Sequence, residues 1–111
     1  MEKTANSDKG IKYDDGKLRI DLIPPEVIRV LAMVFAYGAD KYGERNWEKG
    51  MRAGRLWAAT LWAATQRHLW SWWNKDDMDE ESGYNHLWHA LVSIAMLIVL
   101  QKRGTGEDDR T

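Results

Sequence analysis

The sequence predicts an all-α fold, a small bundle of three main helices preceded by an extended N-terminal arm. Two observations carry this. Apolar residues recur at helical spacing in three separate stretches, and proline or glycine punctuates the boundaries between them. With 111 residues the chain suffices for one domain with a modest core, expected over residues 11–103. Residues 1–10 and 104–111 are polar and aperiodic, and disorder is expected in both.

The arm covers residues 11–23. An Asp15-Gly16 turn signal splits it, and Leu18, Ile20 and Leu22 then alternate with Arg19 and Asp21, the pattern of extended chain or a short hairpin. Lys17 and Arg19 share the polar side and are candidate phosphate contacts, with plain solvation as the alternative. Pro24 and Pro25 end the arm. Pro25 suits the first turn of a helix, and Glu26 follows near the positive end of the dipole. The first helix continues through Val27, Val30, Leu31, Val34 and Phe35 to Tyr42, and Gly43 is a natural stop. Gly38 in its interior costs about 1 kcal/mol relative to alanine, so it should permit close approach of another backbone or of a ligand.

Residues 43–51 form a loop with two glycines and a lone tryptophan. Asn46 is a candidate contact to a base edge or ribose and Trp47 a candidate stacking surface; an asparagine turn with the tryptophan plugging the core reads the same way. The second helix, residues 52–74, is apolar on most faces, with Leu56, Ala59, Ala63 and Trp70 on one side and Trp57, Leu61, Ala64, His68 and Trp72 on another. Such a helix belongs at the centre of a bundle or at a subunit contact. The third, residues 85–103, places Leu87, Leu91, Ile94 and Ile98 on one face and Trp88, Val92, Ala95 and Val99 on another, with Lys102 and Arg103 at its negative end. Together the three carry more apolar surface than so small a bundle hides, which predicts a homodimer or homotetramer.

Composition excludes several classes of function. Sixteen basic against seventeen acidic residues leave no field to draw DNA, RNA duplex or an anionic membrane. Without cysteine there is no disulfide, thiolate metal site or Cys nucleophile. The first ten residues lack a signal pattern, and residues 90–100, the most apolar run, fall short of the ~20 needed to span a bilayer; a cytoplasmic location is expected. GxGxxG, GxxxxGK[ST] and HExxH patterns are absent.

The chemistry concentrates in residues 67–89, which hold all three histidines, four of the seven tryptophans and the densest run of carboxylates. Arg67 and His68 close the second helix, Asp76, Asp77, Asp79, Glu80 and Glu81 crowd the link, and His86 and His89 open the third. On a helix His86 and His89 share a face, which Ser93 extends as a polar line. Arg67 beside an apolar surface either snorkels to water or meets an anion such as phosphate. Carboxylates and imidazoles in one link form a candidate divalent-metal and phosphate site, for Mg2+ or, with histidine ligands, Mn2+. Hydrogen-bonded core histidines are the competing reading.

Four stretches, residues 12–26 (KYDDGKLRIDLIPPE), 37–50 (YGADKYGERNWEKG), RHLWSWW and DMDEESGYNHLWHA, resemble the phage-encoded family described as dATP/dGTP diphosphohydrolase, N-terminal domain. That family is associated with MazZ and more loosely with the MazG-like all-α nucleoside triphosphate pyrophosphohydrolases. The resemblance spans about residues 12–101. It implies cleavage of a purine deoxynucleoside triphosphate between its α and β phosphates, giving monophosphate and pyrophosphate with a divalent metal. It makes Lys41, Tyr42, Asn46 and Trp47 candidate nucleotide contacts and Arg67 a candidate phosphate contact, beside Lys17, Arg19 and His68, which are nucleotide-binding candidates from their own placement in the sequence. Asp79, Glu81, His86 and His89 become candidate metal ligands, with Glu81, His86 and His89 also candidate catalytic groups. One departure bears on these roles: the helical EExxE of MazG-type enzymes is missing, because Glu80-Glu81 is followed by Ser82, Gly83 and Tyr84. Capture of a nucleotide signal without hydrolysis is therefore the alternative function.

Overall fold

The computed structural model describes residues 16–49 and 58–110. Three helices account for most of them: α1 (Pro25–Tyr42), α2 (Ala58–Trp73) and α3 (His86–Arg103). The only β pairing among the described residues is one antiparallel bridge from Met78 to Asn85, so the fold is all-α, as the periodicity predicts.

Local chemistry sets the helix ends. Pro25 opens α1, and Gly43, with a φ of 98° that side-chain-bearing residues avoid, closes it while its N–H donates to the Ala39 carbonyl at 2.8 Å. The Asn85 side chain caps α3 by accepting from the Leu87 N–H at 2.8 Å, and Gly104 ends it in the left-handed conformation. The start predicted for the second helix, with Leu56 and Trp57, lies outside the described residues. Its far end uses a residue less suited to the task. Lys75 takes a φ of 67°, its N–H donating to the Trp72 carbonyl and that of Asp76 to the Ser71 carbonyl, a Schellman closure.

The described part of the arm, residues 16–24, contains one turn of 3-10 helix, Ile20–Leu22, where the alternation predicts extended chain. Arg19 grips Asp21 through two hydrogen bonds of 2.9 and 2.8 Å. A side-chain clasp between residues two apart favours a tight turn, and Leu18, Ile20 and Leu22 are all exposed. Residues 104–110, read from the sequence as lying beyond the fold, meet the first described turn of α2. The Glu107 carbonyl accepts from the Ala58 N–H at 3.0 Å and the Asp109 carboxylate from the Ala59 N–H at 2.8 Å, supplying acceptors to donors that a helix start leaves unpaired.

The core lies mainly between α2 and α3, where Leu61, Thr65, Ala90, Val92 and Leu100 are buried; α1 packs on α3 and contributes Val34. The 3-10 turn Asn46–Lys49 is fastened to the end of α3 by Glu48, which accepts from Arg103 at 2.7 Å and from Arg45 at 3.1 Å. Trp62, Trp70 and Trp73 on α2 and Ile98 on α3 stay more than half exposed. Among the described residues no helix is long and apolar enough to cross a membrane.

Candidate functional site

The link between α2 and α3 folds back on itself and turns Asp79 and Ser82 inward, while Asp76, Asp77, Met78, Glu80 and Glu81 stay exposed. The Asp79 N–H donates to the Tyr84 carbonyl at 2.8 Å, the Gly83 N–H to the Asp79 carbonyl at 2.8 Å, and the His86 N–H to the Asp77 carbonyl at 2.7 Å. This small hairpin fixes Asp79. Its carboxylate accepts from the Ser82 N–H at 2.9 Å and from the Ser82 hydroxyl at 3.0 Å, the closed turn that the Asp-x-x-Ser spacing encodes. Burial alone raises the Asp79 carboxyl, but the two Ser82 bonds and the nearby His89 and His68 outweigh it and hold the group below its ordinary range.

Against this carboxylate the helices bring all three imidazoles into one cluster. His68, from the last turns of α2, stacks on His89 with ring centres 4.8 Å apart and planes 15° from parallel. Its Nδ1 lies 2.8 Å from Nδ1 of His86, one nitrogen donating to the other. The Nε2 of His86 faces Asp76 at 3.8 Å, and that of His89 hydrogen-bonds the Ser82 hydroxyl at 2.6 Å and stands 3.8 Å from Asp79. Partial burial pushes His68 and His89 below the ordinary histidine range, helped at His68 by His89 and His86 and opposed at His89 by Asp79, so the neutral form prevails in both at pH 7.

One donor set within this cluster is compact: His68, Asp79 and His86 each offer a ligand atom, all within 4.8 Å of one another. Two imidazoles held neutral or buried, with one ionised carboxylate, fit a borderline divalent ion such as Mn2+ better than Mg2+, which prefers all-oxygen ligands. Asp76 behind His86 stands where a carboxylate orients a metal-bound imidazole.

The remaining candidates fall into three places. Glu81 pairs with Lys41 across the cluster mouth, and Lys41 also sits 5.1 Å from the Tyr42 ring centre; these partners keep its ammonium protonated far above the ordinary lysine range. Tyr42 and Trp47 line an open cleft of about 820 Å3 on the neighbouring face of α1, with Phe35 5.6 Å from Trp47, while Asn46 is half-buried in the adjoining turn. Arg67 is exposed on α2, and Lys17 and Arg19 belong to the arm, which enters at the opposite end of α1 from Lys41. The structure thus groups His68, His86, His89, Asp79, Glu81 and Lys41, and leaves Arg67 and the arm cations outside that group. Sequence reading missed Tyr37, whose ring meets His89 edge-on at 6.0 Å, and Ser82. The signals were present: Tyr37 is one helical turn from Lys41, and Ser82 is three residues after Asp79.

No solved structure matches the chain. A dATP/dGTP diphosphohydrolase of Salmonella phage PMBT28 is 35% identical over 102 residues, covering 91% of this chain but 33% of the relative, so the chain spans about a third of that protein's length. The family model described as dATP/dGTP diphosphohydrolase, N-terminal matches residues 7–110. The chain belongs to the dATP/dGTP diphosphohydrolase N-terminal family.

Proposed function

We propose that this chain is a metal-dependent nucleotide pyrophosphohydrolase acting on purine deoxynucleoside triphosphates. The observation that carries the reading is the convergence of His68, Asp79 and His86 on one point, beside the Lys41 ammonium and the neutral His89. Lys41 would receive the phosphates in exchange for Glu81. A divalent ion held by the His68, Asp79 and His86 donors would polarise the phosphate and acidify water. His89, hydrogen-bonded to Ser82, would take the proton as water adds to the α-phosphorus. The bond from that phosphorus to the bridging oxygen breaks, and pyrophosphate leaves with that oxygen. The relative's printed name, dATP/dGTP diphosphohydrolase, supports the substrate class.

The test is incubation of the purified chain with each of the four dNTPs and Mn2+ or Mg2+, with products separated by ion exchange. Monophosphate and pyrophosphate from dATP and dGTP are expected, and D79N should lower the rate by roughly 100-fold or more, the scale on which perturbed metal sites lose function. Intact dNTPs throughout would overturn hydrolysis. A second reading, sequestration of a nucleotide without turnover, draws on one feature: Glu81 is tied to Lys41 and Asp79 is the lone carboxylate in the compact donor set. Ligand recovered chemically unchanged would favour it. The exposed Trp62, Trp70 and Trp73 support self-association as a homodimer or homotetramer, which light scattering on the eluted protein measures.

A further inference from the structure

Resting on the nucleotide reading, we infer that the cleft beside Gly38 seats the nucleobase of the nucleotide whose phosphates meet Lys41 and the histidines. Three observations converge. The first is the glycine itself. A Cβ at position 38 would meet nothing within 4 Å, so among the described residues no close helix contact at that atom accounts for a glycine in mid-helix. An occupant lying flat against α1 does. The second is the lining, which includes Phe35, Tyr42, Trp47 and Met96, the flat and polarisable surfaces on which bases of any sequence stack. Ser93 adds a hydroxyl that finds no partner among the described residues and is free to meet a base edge.

The third is continuity with the site. His86, His89 and Ser93 occupy one face of α3, and from His86 to Ser93 the axis advances about 10 Å, the scale of a single nucleotide. On α1, Tyr37 and Lys41 face the histidine cluster, while the next residues in sequence, Gly38 and Tyr42, line the cleft. A ligand with its phosphates at Lys41 has its base directed along both helices toward the aromatic side chains. The Glu48 carboxylate on the cleft wall is already held by Arg103 and Arg45, so stacking and Ser93 contribute to recognition beside the exposed Glu44 on the rim.

Substituting Gly38 separates this idea from a folding defect, because G38L and G38A add helix propensity at a position where a Cβ meets nothing within 4 Å. Calorimetry with dATP, dGTP and inorganic tripolyphosphate on wild type and G38L is the experiment. G38L should melt no lower than wild type and bind dATP and dGTP roughly ten-fold or more weakly, the loss of a stacked base, with tripolyphosphate affinity unchanged. Equal dATP affinity in G38L and wild type would overturn the inference. If G38L does not fold, photo-crosslinking of wild type with 8-azido-dATP decides. Adducts on Phe35, Tyr42, Trp47 or Met96 support a base in the cleft, and adducts confined to other residues overturn it. Failure of wild type to bind any of the nucleotides is a different result: it removes the nucleotide reading as a whole.

Discussion

Two sides of the molecule are built differently. α2 and α3 bury Leu61, Thr65, Ala90, Val92 and Leu100 and are joined by a link whose backbone bonds back to itself at three points. α1 buries Val34 alone and keeps an interior glycine with open space beside it. Groups that act by exact position, the imidazoles and Asp79, belong to the closed side. The open side carries residues suited to a larger and more variable contact, Phe35, Tyr42 and Trp47. The division follows a physical requirement: a metal site needs donors placed to tenths of an ångström, whereas stacking tolerates adjustment.

A matched pair of valines tests that contrast most strongly. Val92 on α3 and Val34 on α1 are both 4% exposed, so valine-to-alanine removes equal apolar area from each. The transfer cost is about 1.6 kcal/mol, at roughly 0.8 kcal/mol per methylene-sized group. What differs is whether the surroundings can collapse into the space left. V92A should cost about 2–3 kcal/mol in urea unfolding, and V34A little more than the transfer cost of about 1.6 kcal/mol. Equal losses would show that α1 is packed as rigidly as the hairpin.

Acid should weaken the closed side next. Burial holds the His68 and His89 imidazoles below the ordinary value of 6.5. Between that depressed folded value and the ordinary unfolded one, the unfolded chain binds more protons, so stability falls as pH drops through about 6.5. Asp79 has the same sign in a lower window: its contribution is present above its ordinary value of 3.8 and is lost as pH falls further. Thermal melts between about pH 7.5 and 5 should therefore decline toward acid, and the H68Q/H89Q double variant should decline less. An unchanged slope in the double variant would place the acid sensitivity elsewhere.

How much of this was legible in the sequence differs between the two sides for a physical reason. The ends of α1 were readable because they depend on local chemistry: Pro25 and Gly43 act within one turn of where they stand. The histidines were readable as a group because two share a helix face and the third precedes the link. Which of them joins Asp79 was not, since that depends on how α2 crosses α3. His68, read as a nucleotide contact, lies with Asp79 and His86, while Glu81 reaches Lys41 forty residues away in sequence. The arm shows the opposite limit. Its alternation lacks a partner strand among the described residues, and the Arg19–Asp21 clasp decides the local conformation instead.

The smallest expected effect sharpens the comparison at the hinge of the closed side. Lys75 ends α2 in the left-handed region, φ 67°, where Gly43 and Gly104 serve the other two helices. A Cβ in that conformation costs about 1–2 kcal/mol, and the extra freedom of an unfolded glycine takes back part of any gain from removing it. K75G should therefore raise stability by somewhat under 1 kcal/mol, a few degrees in melting temperature for a domain of this size. The backbone bonds from Lys75 and Asp76 to the last turn of α2 remain available to glycine, and the Asp79–Ser82 turn lies beyond them. Mn2+ affinity measured by calorimetry should consequently stay within about two-fold of wild type. A K75G variant that gained stability but lost Mn2+ binding would mean that the donors on the two sides of the link are held in register by the strained residue, and not by the bonds of the hairpin that follows it.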